Sequence, residues 1–378
     1  MPELLITGSI AELPRDGWNR CFADELESWD YYRAVETSGL PDFAWRYFAL
    51  REGGRLLAAV PAFITDYRLD TTVQGPWKRV TEQIGRHFPR LLALRLISLG
   101  SPVSEICHLG FAPEVAEAEK PASLGALLAG LERHAADQGI GLLGIKDAAA
   151  AQSSLWQAAA LAAGYQRLPS LPTAYLPLPY ADEAAYLASL SAATRKDLRR
   201  KLKGAGAIRI EQRHDIADVL DRVMRLYQET LERSDLQFER LPAGYFTGVL
   251  QALGRHASCF LYWVGEDLIG FNLVLHDGNR LIDKFFGMRQ PDGRRHNLYF
   301  LIWMTNVRYC LAHGLGCYQS GQAGYGPKRQ LGSKLSANWL YFRHRHVMLN
   351  RVLGLIGQLV RLDRFDAELA DAIDREAA

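Results

Sequence analysis

The sequence predicts an α/β protein built from two similar units in tandem. Two observations carry this. One order of elements (hairpin, strand, helix, glycine, strand) occurs twice along the 378 residues. Apolar residues make up 48% and charged residues 23%, proportions of a globular chain with a sizeable core. In the first unit, residues 45–64 place two apolar, aromatic-rich runs around Gly53-Gly54, a hairpin signal. LRLISLG (94–100) reads as a short strand. Residues 123–140 repeat apolar positions at helical spacing and stop at Gly139, and GLLGIKD (141–147) reads as a buried strand.

In the second unit, residues 259–289 hold three strands separated by the turn clusters Gly265-Glu266-Asp267 and Asp277-Gly278-Asn279. A helix follows over 296–313 and ends at Gly314, then a short strand, CYQSG. The joint falls in RLPSLPTAYLPLP, where four prolines discourage regular structure. The expected units are therefore 1–170 and 171–345, with an amphipathic helical tail over 346–378. The stretch YQSGQAGYGPKRQLGSKL (318–335) shows no helical or strand period after Ser320. It carries four glycines and three cations, the composition of a ligand-facing loop.

Net charge of +2 confines any contact with a polyanion to a local patch. One such patch is SAATRKDLRRKLKGAG (191–206), with six cations against Asp197 alone. On a helix, Arg195, Arg199 and Lys203 share an exposed face: a solvated surface or a site for an anionic partner. Five scattered cysteines, with no C-x-x-C pair, argue against a disulfide framework and against a zinc site. No apolar run approaches the roughly 18 residues of a membrane span, and the N-terminus lacks signal-peptide character, so the expected location is cytoplasmic.

Asp283 interrupts an apolar strand, and strand alternation puts it on the face opposite Lys284. It fits either a structural ion pair or a general base with a raised pKa. His296 is a second candidate base. His344 and His346 lack a third ligand nearby and read as packing or surface residues rather than metal ligands. The turn RQPDGRRHN (289–297) opens a helix, where free N–H groups favour phosphate. The first-unit stretch LISLGSPVSEICHLGF (96–111) has no such glycine loop, so the first unit is expected to bind acceptor or to be structural.

Read in order, residues 187–345 resemble the FemAB-like (BioF-like) branch of the GNAT acyltransferase superfamily, which includes the Fem-type peptidoglycan aminoacyltransferases. The resemblance rests on Thr194-Arg195-Lys196-Asp197-Leu198-Arg199, the pair Tyr245-Phe246, the turn Glu266 to Gly270, Asn297 through Trp303, Tyr318-Gln319-Ser320-Gly321 and the lysine loop Pro327 to Ser333. Gln290-x-x-Gly293-x-Arg295 is similar to the loop that holds the coenzyme A pyrophosphate. The resemblance implies tandem GNAT-like domains, each a mixed twisted sheet flanked by helices. It implies N-acyl transfer to a small-molecule amine, with acyl-CoA, an acyl carrier thioester or aminoacyl-tRNA as co-substrate and no permanently bound cofactor. Pro327, Ser333 and Gln319 depart from the family pattern and favour the thioester. The alternatives are a Fem-type aminoacyl-tRNA-dependent enzyme, a non-catalytic recognition protein for cell-wall or glycan precursors, and an RNA-binding protein using residues 191–206.

The implied roles are these. Lys328 stabilises the oxyanion, and its replacement by Met is expected to lower kcat with little change in stability. Arg195, Arg199 and Arg295 hold carrier phosphates. Asn297, Tyr325 and Arg329 line the donor and substrate site, and Tyr318, Gln319 and Gln322 line the acceptor side.

Overall fold

The computed structural model describes residues 2–68, 93–234 and 238–359. The first half runs β1 (Glu3–Thr7), α1 (Arg15–Cys21), α2 (Trp29–Thr37), β2 (Ala44–Glu52), β3 (Arg55–Arg68), β4 (Ala93–Leu99), β5 (Gly110–Phe111), α3 (Lys120–Asp137), β6 (Leu142–Ala149), α4 (Ser153–Ala162), β7 (Gln166–Pro169) and β8 (Thr173–Pro177). Two helices follow, α5 (Glu183–Ser189) and α6 (Ala192–Leu202). The second half is β9 (Arg209–Arg213), α7 (Leu220–Glu232), α8 (Ala243–Leu253), β10 (Ala257–Val264), β11 (Asp267–His276), β12 (Arg280–Met288), α9 (Asp292–Arg295), α10 (Leu298–Ala312), β13 (Cys317–Gly321), α11 (Tyr325–Gln330), β14 (Lys334–Ser336), β15 (Asn338–His344) and α12 (Val347–Leu359).

The hairpin signal at Gly53-Gly54 is a two-residue connection: Glu52 pairs with Arg55, and both glycines have positive φ, as a mirror-image turn requires. The helix α10 ends before Gly314, whose φ of +66° closes it as a left-handed cap.

The two sheets share one topology. The first has the order β1-β2-β3-β4-β6-β15-β7, with β5 beside β3, and the second has β9-β10-β11-β12-β13-β8-β14. In each, one pair is parallel, β4 with β6 and β12 with β13. The sixth strand of each sheet comes from the other half: β8 crosses into the second sheet and β15 returns to the first. Residues 171–345 therefore do not map onto one sheet, and the halves are tied by a reciprocal exchange of their last strands. The proline-rich joint is also not irregular. It holds β7 and β8, with Pro169 and Pro177 at strand ends, where a missing N–H does least harm.

The core has three layers. An inner layer joins the halves through α1, α2, α7 and α8. There Tyr31 and Tyr245, in equivalent places on α2 and α8, share a hydrogen bond of 3.0 Å, as expected for an approximate twofold. The outer layers bury α3 and α4 on one sheet and α5, α6 and α10 on the other. Helix α12 begins where the helical tail is expected, and residues 360–378 of that expectation lie outside the described residues. Among the described residues no helix is long and apolar enough to cross a membrane, and no group of His, Cys, Asp and Glu side chains is arranged to hold a metal ion.

Candidate active site

The two parallel strand pairs end differently. In the first sheet the pairing stops at Leu99 and Ile145, and β4 stops with it. The next residue is Gly100, and the loop beyond it folds back so that Cys107 N–H donates to Asp147 O. In the second sheet the pairing stops at Ile282 and Gln319, but β12 continues to Met288. The next residue there is Asp283. Among the described residues no strand pairs with β12 beyond Ile282 on its β13 side. The result is a wedge with Asp283 at its apex, open toward the turn before α10. An extra residue, Lys284, is inserted opposite the Leu273/Val274 step of β11, a bulge of the kind that re-aims side chains beside sites.

Asp283 lies on one face and Lys284 on the other. The Asp283 carboxylate accepts from Asn272 Nδ2 (2.6 Å), Tyr318 Oη (2.9 Å) and Asn306 Nδ2 (3.3 Å). It makes no ion pair among the described residues. Burial pushes its pKa up to about 6, against the pull of Tyr318, Asn272 and the Lys328 charge. Asn272 is the one polar residue inside the apolar run LIGFNLVL, so the signal that marks Asp283 marks it too, whereas Asn306 stands beside Thr305 and Tyr318 beside Gln319 with no such mark.

The loop after Ser320 is more ordered than its composition suggests. Gly324 takes φ +63°, and residues 325–330 form α11, with Pro327 in the first turn, where its missing N–H has no helical partner to lose. This short helix turns Lys328 inward, to 7% exposure. Lys328 Nζ donates to the carbonyls of Ser320 (2.5 Å), Gly321 (2.9 Å) and Gln322 (3.3 Å). Its three protons are thus engaged, and it holds the turn at the end of β13 in place. Burial lowers its pKa to about 8, opposed by the charges of Glu105 and Asp283. A buried cation bonded to three carbonyls is also a structural element, so its loss is expected to cost more stability than the little change expected from sequence.

Sequence reasoning expected the first unit to bind acceptor or to be structural, but did not single out the residues through which it meets this site. The loop after β4 reaches into this site, and three consecutive carbonyls are each held by a side chain: Val103 O by Lys284 (2.8 Å), Ser104 O by Lys146 (2.8 Å) and Glu105 O by Gln322 (3.2 Å). Gln319 Nε2 donates to Glu105 Oε2 (2.8 Å). Behind them Lys284 pairs with Glu27, which His108 also approaches at 3.2 Å. Tyr325 is buried and donates to Pro172 O (2.8 Å), and Arg329 lies half-buried on α11. The structure thus brings Asp283, Tyr318, Gln319, Gln322 and Lys328 together.

The cationic residues lie apart, at the wedge's open end. Asn297 caps α10 with φ +50° and donates to Lys201 O (3.3 Å), which ties α6 to the turn before α10. His296 ends α9 in that turn, and among the described residues it makes no hydrogen bond to Asp283. Arg199 on α6 and Arg295 on α9 are exposed, and neither side chain has an ion-pair or hydrogen-bond partner among the described residues. Arg195 is not on that exposed face. Its Nη1 donates to the carbonyls of Leu187, Ala188 and Leu190 at 3.2–3.3 Å, closing the end of α5. Arg195→Gln is therefore expected to lower Tm and leave donor KM unchanged. Arg199→Gln should leave Tm unchanged and raise donor KM roughly threefold to tenfold at low salt, an effect that added salt removes. Steady-state kinetics and thermal melts of the two variants check this.

The family model for FemAB-like proteins, described as peptidoglycan biosynthesis/recognition, matches residues 9–356. The chain belongs to the FemAB-like family. Among solved structures, FemX matches this FemAB-like protein with a TM-score of 0.57 at 13% identity, over 93% of this chain and 100% of FemX. A tandem GNAT protein from the clavulanic acid biosynthesis pathway gives 0.53 at 12%, over 91% and 98% of the two chains. The C-terminal domain of a putative lysylphosphatidylglycerol synthetase from Agrobacterium fabrum gives 0.54 at 13%, over 93% and 97%. At these identities the likeness is one of fold, the tandem GNAT architecture. A search of curated proteins gives no match. Family and fold together make this a FemAB-like protein of tandem GNAT architecture.

Proposed function

We propose that the protein transfers an activated acyl group to a primary amine in the wedge of its second half. The observation that carries this reading is the open edge of β12 with Asp283 at its apex, in a sheet whose first-half counterpart is closed and has Gly100 in that place. On its β13 side the backbone of residues 283–287 has no strand partner among the described residues, and that edge can hydrogen-bond an extended donor arm as a strand would. The arm's phosphates then fall at the turn 289–297, beside Arg295, Arg199 and the free N–H groups at the start of α10. Such an arm suits coenzyme A or a carrier protein. The additional exposed cations Lys196 and Lys203 on α6 favour a second reading, an aminoacyl-tRNA donor, whose polyanion extends further than a pyrophosphate.

The acceptor arrives as an ammonium and must lose a proton before it can attack. Asp283, held near neutrality, takes that proton. The amine nitrogen then bonds to the acyl carbon, the carbonyl oxygen gains charge, and the bond to the carrier's sulfur (or ribose oxygen) breaks. As the amide forms the attacking nitrogen loses a second proton, and the leaving group departs with it. Lys328 supplies positive charge beside the developing oxyanion and fixes the turn that presents Tyr318 and Gln319. The test is mass spectrometry of the purified protein with pooled acyl-CoAs, charged tRNAs and an amine-rich cell extract. A new amide formed with one donor class supports the reading and names the donor. No amide with any donor overturns it.

A further inference from the structure

The first half's contribution to the site contains an incomplete ion site. Glu105 stands on the loop whose carbonyls at 103, 104 and 105 are each held by a side chain, so its position is fixed before any ligand arrives. Its Oε2 accepts from Gln319, while Oε1 has no hydrogen-bond partner among the described residues. Two lysines influence it electrostatically, and neither pairs with it. Lys284 is committed to Glu27 and Val103 O, and Lys328 to three carbonyls. Desolvation raises the carboxyl's pKa, as expected for a half-buried carboxylate without a touching cation.

The space around Oε1 depends on Gly321. A Cβ there would lie 2.5 Å from Glu105 Oε1 and 3.8 Å from Asp283 O, and the φ of +83° disfavours any side chain. The glycine thus lets the half-buried Glu105 carboxylate lie against the end of β13, beside the backbone carbonyl of Asp283 where β12 and β13 part. A half-buried carboxylate with one free oxygen and no cation in contact lacks a compact hydrogen-bonding cation. A primary alkylammonium supplies both the charge and the donors.

We propose that Glu105 Oε1 binds the ammonium of the acceptor, so that the first half selects primary alkylamines for a reaction carried out by the second. This rests on the transferase reading above and deepens it. Glu105 is a specificity residue, distinct from Asp283, which takes the proton.

The test uses the full chain and the variants Glu105→Gln and Glu105→Asp. Gln keeps the acceptor for Gln319, so the fold is expected to survive. Asp keeps the charge one methylene short and covers a Gln variant that fails to fold. In the transfer assay, Glu105→Gln should raise acceptor KM roughly 30-fold or more, with donor KM unchanged and kcat within a few-fold. Glu105→Asp should recover part of the loss. An unchanged acceptor KM, or a fall in kcat alone, overturns the proposal. A second arm needs no turnover: n-butylammonium, with n-butanol as the neutral control, is titrated against the protein by NMR. Saturable shifts with the cation only, lost in Glu105→Gln, support the proposal even where no donor is turned over; in that event the transferase reading fails and the amine site stands. Shifts that persist in the variant, or none in the wild type, overturn it.

Discussion

Asp283→Asn should lower kcat for acyl transfer by roughly 10²–10⁴-fold, the range typical of a lost general base. Asn fits the same space and still accepts from Tyr318, so the carboxylate's charge is the main thing removed. The wild-type kcat/KM should fall as pH drops through about 6, where burial holds the Asp283 carboxyl. The variant's residual activity should lack that limb. Stability gives an independent reading of the same group. The folded-state pKa lies above the ordinary 3.8, so this residue's contribution to stability is complete below that value and is lost as pH rises through about 6. Asn cannot titrate. The variant's Tm relative to wild type should therefore become more positive between about pH 5 and about pH 7.5. Thermal melts across that range measure it, and a flat difference would show that Asp283 titrates as an ordinary exposed carboxylate.

Lys328→Met is the second large effect, and it has two parts. Loss of positive charge near the oxyanion should lower kcat by roughly 10²–10³-fold. The carbonyls of Ser320, Gly321 and Gln322 lose their shared donor, which should reduce stability by about 1–3 kcal/mol. Lys334→Met is the control: Lys334 is exposed on β14, and its loss should change neither quantity. Kinetics on variant confirmed as folded separates the two parts. A destabilised variant with full kcat would make Lys328 a strut for the turn and nothing more.

The local elements were largely legible in the sequence. Gly53-Gly54 and Gly265 mark tight turns because both need positive φ, and Gly139 and Gly314 mark helix ends for the same reason. Asp283 was visible because a carboxylate in an apolar strand must find partners. What the sequence hid was long-range. Nothing local in NWLYFRH says that β15 leaves its own half and lies between β6 and β7. The prolines at 169 and 177 disguised two strands because a proline at a strand end and one in a loop look alike in sequence. Arg195 looked like its exposed neighbours on α6, and only the end of α5 shows why it is engaged. Glu105 carried no signal at all, since its partner Gln319 is 214 positions away and on the other half.

The central claim is that the donor occupies the wedge of the second half and not its first-half counterpart. Amide hydrogen exchange of the full chain, with and without a hydrolysis-resistant acyl-CoA thioether and separately with aminoacyl-tRNA, tests it directly. The account predicts slowed exchange over residues 283–297 and 317–324 with one of the two donors, and unchanged exchange in β4 and β6. Slowed exchange confined to β4 and β6, or no change with either donor, would contradict it.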